Sequence, residues 1–250
     1  MFNAIAYFFA NILLVLYKFV GNQTVLAIAA LTVLIRLLIL PLTLYQQRSS
    51  QKMQEVQPKL DKLRKKYEND QEKLAQEQMK LMREAGVNPL GGGCLPLLIQ
   101  LPILFGLYRA IQYCVPTTPL QLFQFSAHIY NWLPVEGLVP LESTFLGMDL
   151  GQPPSSGQWW SYALPILVFF TSWVQQKILS PSTSSGSEEP SQAELMSTQM
   201  QIMMPLMFGF IALQYATGLS IYFIISNLFG IAQFYLIRRS QANGNEESGK

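Results

Sequence analysis

Long apolar runs alternate with polar segments along this chain. Five of the runs come close to the ~20 residues an α-helix needs to cross a ~30 Å hydrocarbon layer: residues 24–45, 94–115, 159–178, 201–216 and 219–237. The fourth is short, and a tight connection joins it to the fifth. Residues 1–20, MFNAIAYFFANILLVLYKFV, are also apolar, but Asn3 and Asn11 interrupt them and Lys18 follows. They lack the basic start and small-residue cleavage site of a signal peptide. The pattern favours a helix lying in the membrane interface over an additional span.

Between the first two spans the period changes. In residues 46–93, Met53, Val56, Leu60, Leu63 and Tyr67 recur at spacings of 3, 4, 3 and 4, one stripe of a helix. Asn69-Asp70 breaks it, and a second helix carries Ala75, Met79 and Met82 until Gly86 and Asn88-Pro89 stop it. This predicts an antiparallel helical hairpin with narrow stripes and little core of its own. A solvated charged connector is the plainer alternative. Residues 116–158 and 179–200 are connecting loops. Ser180–Gln192, SPSTSSGSEEPSQ, and SQANGNEESGK (residues 240–250), within the tail at 238–250, are polar and are expected to stay unfolded.

Composition and charge turn these runs into a membrane topology. Half of the 250 residues are hydrophobic and 13% are charged, against about a quarter in a soluble protein. The fold class is therefore all-α and integral to a membrane. Net charge is only +2, but the charges are segregated. Residues 46–93 hold ten Lys and Arg, whereas 116–158 hold none. Basic loops stay in the cytoplasm, so 46–93, 179–200 and the carboxyl terminus are cytoplasmic and 116–158 is outside. With five spans, the amino terminus is outside too. Cys94 and Cys114 lie ~30 Å apart along one helix and cannot pair.

Arg36 is the chemically unusual residue. It sits about twelve residues from one end of its span and nine from the other, where insertion costs roughly 2.5–3.5 kcal/mol. Every Asp and Glu falls outside the five spans. Water, amides, hydroxyls or carbonyls must therefore satisfy the guanidinium, which implies a wet cavity among the helices. Cross-linking of helices through backbone carbonyls is the alternative. Thr32 lies one turn earlier, and Thr43 continues that face. Gln175, Gln176, Gln214, Tyr222, Ser226, Asn227 and Gln233 supply polar groups from the other spans. Arg109, near a span end, can snorkel. Met196, Met200, Met203 and Met207, spaced 4, 3 and 4, form a thioether stripe suited to varied apolar partners or to ordinary packing. Pro41, Pro96, Pro102, Pro165 and Pro205 interrupt the spans, which suits helices that line a cavity.

Several chemistries are excluded. The chain has no Walker loop and no HExxH zinc pattern. It has no Ser/His pair or paired Asp within the spans for hydrolysis, and no intramembrane carboxylate for ion-coupled transport. No catalytic residue, metal site, cofactor or sequence-specific nucleic-acid binding is expected.

LTVLIRLLILPLT (Leu31–Thr43), NPLGGGCLPLLIQLPILFGLYRAI (Asn88–Ile111) and MMPLMFGFIALQYATGLSIYFIISNLFGIAQFYLIRR (Met203–Arg239) closely resemble the YidC family of membrane protein insertases. KYENDQEKLAQEQMKLMREAGVNPL is similar to its cytoplasmic hairpin, and FLGMDL (Phe145–Leu150) to a motif of bacterial members. The resemblance implies a five-helix core around a hydrophilic groove, in the minimal form without a large outer domain. Arg36 corresponds to the groove arginine, Thr32 to the polar residue one turn before it, and Tyr222 to a tyrosine of the last span. Gln175 or Gln176 corresponds to a third-span glutamine. Some members carry a second Tyr or a Trp where this chain has Phe223. Arg36, Thr32, Gln175, Gln176, Tyr222 and Ser226 are the expected groove lining, and Met200, Met203 and Met207 the expected hydrophobic slide. The implied activity is insertion of membrane proteins into the bacterial inner membrane without nucleotide hydrolysis. The alternative is a chaperone for multi-spanning proteins beside the Sec translocon. The implied partners are nascent membrane proteins, lipids, the Sec translocon and the ribosome. The short, non-basic tail leaves ribosome contact to the cytoplasmic hairpin.

Overall fold

Helices form along the apolar and amphipathic runs. The computed structural model describes residues 2–67, 70–86, 95–115, 123, 125–130, 133, 140–179 and 192–248. In order they form α1 (Phe2–Phe19), α2 (Thr24–Leu38), α3 (Leu40–Lys66), α4 (Gln71–Glu84) and α5 (Leu95–Cys114). The antiparallel hairpin β1 (Thr144–Phe145) and β2 (Met148–Asp149) follows, then α6 (Ala163–Leu179), α7 (Gln192–Gln214) and α8 (Thr217–Ser248). Among the described residues, Thr217–Ile237 alone is long and apolar enough to cross a membrane as one continuous helix. Residues 24–38 and 40–53 reach that length only together.

Two elements depart from the sequence pattern. The run at 24–45 is not one helix: α2 ends at Leu38, Ile39 interrupts, and α3 restarts at Leu40. Pro41 causes this, because it cannot donate to the carbonyl four residues back and its ring crowds that group. The Thr43 hydroxyl donates to the Leu40 carbonyl within α3. The tail is not unfolded either, since α8 continues to Ser248. Extending a formed helix adds one hydrogen bond per residue fixed, and no proline stops it. The Ser/Pro-rich stretch lies outside the described residues up to its last residue, Gln192, where α7 begins.

The chain divides into two compact units. The first comprises residues 1–37, 102–180 and 198–250. Its core gathers Leu13, Leu14, Ile28, Leu31, Leu107, Ile111 and Leu219, all essentially buried. α1 belongs to this core through Ala6, Ala10, Leu13, Leu14 and Tyr17. It sits closely on α5: a Cβ at Gly106 would lie 2.7 Å from Ile5, and Cys114 Sγ donates to the Ala10 carbonyl at 3.6 Å. Cys114 is thus a packing residue. Buried Asn11 fastens α1 to a connecting segment, donating to the His128 carbonyl and accepting from Tyr130 N–H. Gly218 admits the start of α8 between Ile28 and Ile111, each 3.2 Å from where its Cβ would be.

The second unit, residues 38–101 and 181–197, contains α3 and α4. Val56 and Leu60 are buried among Met53, Leu81, Met82 and Ala85. Asp70 caps α4 by accepting from Lys73 N–H, and Gly86, at φ +64°, follows its end. Ala75 and Met79 are exposed, contrary to the predicted stripe. The packed face is centred on Leu81, Met82 and Ala85, which turns residues 75 and 79 to its edge.

Candidate functional site

Arg36 ends one turn beyond the fully buried Thr32 on α2. Its guanidinium crosses to α8, where Nε donates to Ser226 Oγ at 2.9 Å and Nη2 donates to the same oxygen. Arg36 makes no ion pair among the described residues. The sequence inventory therefore singled out a cation that a hydroxyl, not a carboxylate, receives. Thr32 is placed beside it but spends its proton on its own helix, donating to the Ile28 carbonyl at 2.7 Å. Such back-bonding is the usual fate of a mid-helix threonine.

α8 brings the remaining groups into one row. Tyr222, Ser226, Gly230 and Gln233 follow at spacings of 4, 4 and 3 and so share a face. All four are buried. The Tyr222 ring lies 5.5 Å from that of Phe223, which in turn lies 5.2 Å from Phe208 on α7. Phe223 offers no hydrogen bond, so the polar character of this row rests on Tyr222, Ser226 and Gln233.

The neighbouring Asn227 faces α6, where its amide donates to Thr171 Oγ1 at 3.1 Å and Ser172 Oγ at 2.8 Å. One turn on, the Gln175 amide lies across Gly230, in space that a Cβ would occupy. Gln175 thus packs on the α8 backbone, while Gln176 is half-buried beside it. Consecutive residues of α8 therefore face two helices, Ser226 towards α2 and Asn227 towards α6. Sequence reasoning missed Thr171 and Ser172. Their signal was their position one turn before Gln175 on a helix already known to need polar partners. Gln214 is the exposed last residue of α7 and does not join the cluster.

On α7, Met203 and Met207 are exposed, together with Ile202, Leu206 and Phe210. Pro205, Gly209 and Ala212 are buried on the opposite side, where Gly209 meets Phe169 of α6. The exposed face is thus a broad apolar one in which the methionines are two members. The side chains of Met196 and Met200 lie outside the described residues.

The chain as a whole is similar to known proteins. The profile of the family described as 60Kd inner membrane protein matches residues 15–245. A membrane protein insertase YidC from Fusobacterium nucleatum is 33% identical over 242 residues, covering 97% of this chain and 98% of that one. The membrane protein insertase MisCA of Bacillus subtilis is 36% identical over 237 residues, covering 93% of this chain and 77% of that one. A crystal structure of an active YidC insertase with its first transmembrane domain resolved superposes with a TM-score of 0.60 at 26% identity. That match covers 94% of this chain but 45% of the crystallised one.

Proposed function

The chain belongs to the 60Kd inner membrane protein family, that of the YidC membrane protein insertases, and from this premise we propose how it works. Hydrophobic segments with short polar flanks pass from the cytoplasm into the bilayer through a hydrophilic groove at Arg36, without nucleotide hydrolysis. In this reading the core has five spans, α3 and α4 form a cytoplasmic hairpin that meets the ribosome and nascent chain, and residues 116–158 lie outside. The carboxyl terminus is cytoplasmic, α1 rides in the outer interface, and the Sec translocon is a partner for longer clients.

The observation that carries the reading is the Arg36–Ser226 contact. Of the five guanidinium N–H groups, Ser226 engages one on Nε and one on Nη2. The other three have no protein acceptor among the described residues. A carboxylate 4 Å from such a cation gains about 4 kcal/mol at a near-surface dielectric, against about 1 kcal/mol in water. An acidic flank is therefore drawn into the groove.

The energetics need no fuel. A client segment of about 20 apolar residues gains roughly 6–12 kcal/mol at 0.3–0.6 kcal/mol each, while one Asp at the bilayer centre costs about 2.5–3.5 kcal/mol. Partitioning supplies the direction and Arg36 lowers the barrier for the flank. The apolar segment slides along the exposed face of α7 and leaves into lipid. No covalent bond is made or broken.

The test is protease protection of a single-span client with one acidic residue in its short outer flank, using protein reconstituted in liposomes. Arg36→Ala should lower insertion at least tenfold, and Arg36→Lys should retain a substantial part. Unchanged insertion by Arg36→Ala, with multi-spanning clients left unassembled, would replace the insertase reading with the assembly chaperone.

A further inference from the structure

The hairpin joining β1 to β2 turns on Leu146-Gly147, with φ of +52° and +77°. Two-residue turns of this kind favour Asn-Gly or Gly-Gly, because positive φ is strained for a residue with a branched apolar side chain. Leu146 is 73% exposed at the tip, so packing among the described residues offsets little of that strain. Something outside the fold must account for it.

The surroundings say what. Gly147 lies against Trp160, 3.8 Å from where its Cβ would be. Trp160 and the 81%-exposed Trp159 stack edge to face with centroids 5.9 Å apart. Tyr162 is exposed beside them, and Ile166, Leu167 and Phe170 continue the exposed apolar surface along α6. The seventeen residues of α6 rise ~25 Å and end where Lys177 lies over the Trp173 ring at 5.1 Å. Aromatic rings at both ends of an apolar helix face, with a basic residue at one end, mark the two water–hydrocarbon boundaries.

We propose that Leu146, Trp159 and Trp160 form a wedge seated in the interfacial layer of the outer leaflet. The wedge fixes the depth at which the outer segment caps the helices. That segment is tied to the bundle: Gly218 N–H donates to the Leu150 carbonyl at 2.9 Å, Thr217 N–H to that of Gln152 at 2.8 Å, and Thr24 Oγ1 to that of Glu142. Residues 116–158 contain no Lys or Arg, so insertion of rings and the leucyl tip, not attraction to anionic headgroups, holds it. The choice of leaflet rests on the outward orientation of this segment in the functional reading above.

The test uses the full chain with Cys94→Ala and Cys114→Ala, reconstituted in phosphatidylcholine–phosphatidylglycerol vesicles. An NBD dye on Leu146→Cys is compared with one on Ser126→Cys, using lipids spin-labelled at the headgroup, at carbon 5 or at carbon 12. Leu146 should be quenched at least twofold more than Ser126, and more strongly by the shallow labels than by carbon 12. Water-like emission without quenching overturns the proposal, as does emission that turns blue only in native membranes, which would assign the patch to a protein partner. Dithionite added from each side reads the leaflet separately. Lipid quenching on the cytoplasmic side would sink the orientation and leave the wedge. In a Trp132→Phe/Trp173→Phe background, Leu146→Gly relieves the turn and should leave the melting temperature unchanged or higher while lowering brominated-lipid quenching of Trp159 and Trp160. Undiminished quenching shows that the leucine is no part of a wedge.

Discussion

Arg36 reaches Ser226 with two of its N–H groups, on Nε and Nη2, and that contact fixes which way the rest of the guanidinium faces. Without the acceptor, a long flexible side chain in an apolar setting turns towards the nearest polar boundary. A hydrogen bond to a charged group contributes about 1.5–3 kcal/mol. Ser226→Ala should therefore cut insertion of the acid-flanked client by about tenfold, and Ser226→Thr, which keeps the hydroxyl, should restore most of it. Both are read by the same protease-protection assay. The double variant Arg36→Ala/Ser226→Ala should be no worse than Arg36→Ala alone, because the serine acts through the arginine; additive losses would refute that. Part of this site is legible without coordinates. An arginine in a span and a chain with no intramembrane carboxylate already demand a neutral acceptor. Which hydroxyl serves is not legible, because helix rotation decides it. Thr32, on the arginine's own face, spends its proton on Ile28, and Ser226, 190 positions away, is the partner.

Between elements, one buried amide supplies two hydrogen bonds across the seam of α6 and α8. Asn227 donates to both Thr171 and Ser172, and interhelical hydrogen bonds inside membranes average ~0.6 kcal/mol with a maximum near 1.7 kcal/mol. Asn227→Ala should cost roughly 1–3 kcal/mol, visible as a lower unfolding temperature in detergent, and Asn227→Asp should fare no better because an intramembrane carboxylate is costly. Gly230→Ala should be milder than its position suggests, since the group in the way is the flexible end of Gln175. The existence and order of the helices follow from apolar periodicity alone. Their ends do not. Pro41 was visible as an interruption, yet the spacing of apolar residues reads straight through it, and only a lost backbone hydrogen bond ends α2 at Leu38. On α4 the stripe drawn through Ala75 and Met79 fails for a related reason. Periodicity gives a face its width, but the partner α3 chooses its centre.

At the scale of the molecule, the two units should differ widely in stability. The first is organised around a core of buried side chains drawn from α1, α2, α5, α6, α7 and α8. Among its described residues the second buries only Val56 and Leu60, with four partly buried neighbours. Its ion pairs among the described residues, the part-buried Arg64–Asp61 and the exposed Lys73–Asp70, add little, since charge pairs three residues apart on a helix contribute about 0.2–0.5 kcal/mol. Regions with few buried apolar contacts open at low free energy, so amide hydrogen exchange in α3 and α4 should run orders of magnitude faster than in the buried part of α8. Removing a buried leucine side chain costs about 2–5 kcal/mol, more than so small a core can lose. Leu60→Ala should therefore abolish protection across α3 and α4 while the detergent unfolding temperature of the first unit moves by no more than about a degree. Loss of both together would mean that the two units fold as one. A loose hairpin also fits its proposed task, because an element that receives varied nascent segments gains from opening at little cost. If that is its role, Leu60→Ala should slow capture of ribosome-bound clients and leave insertion of pre-bound ones unchanged, a split that separates delivery from the step at Arg36.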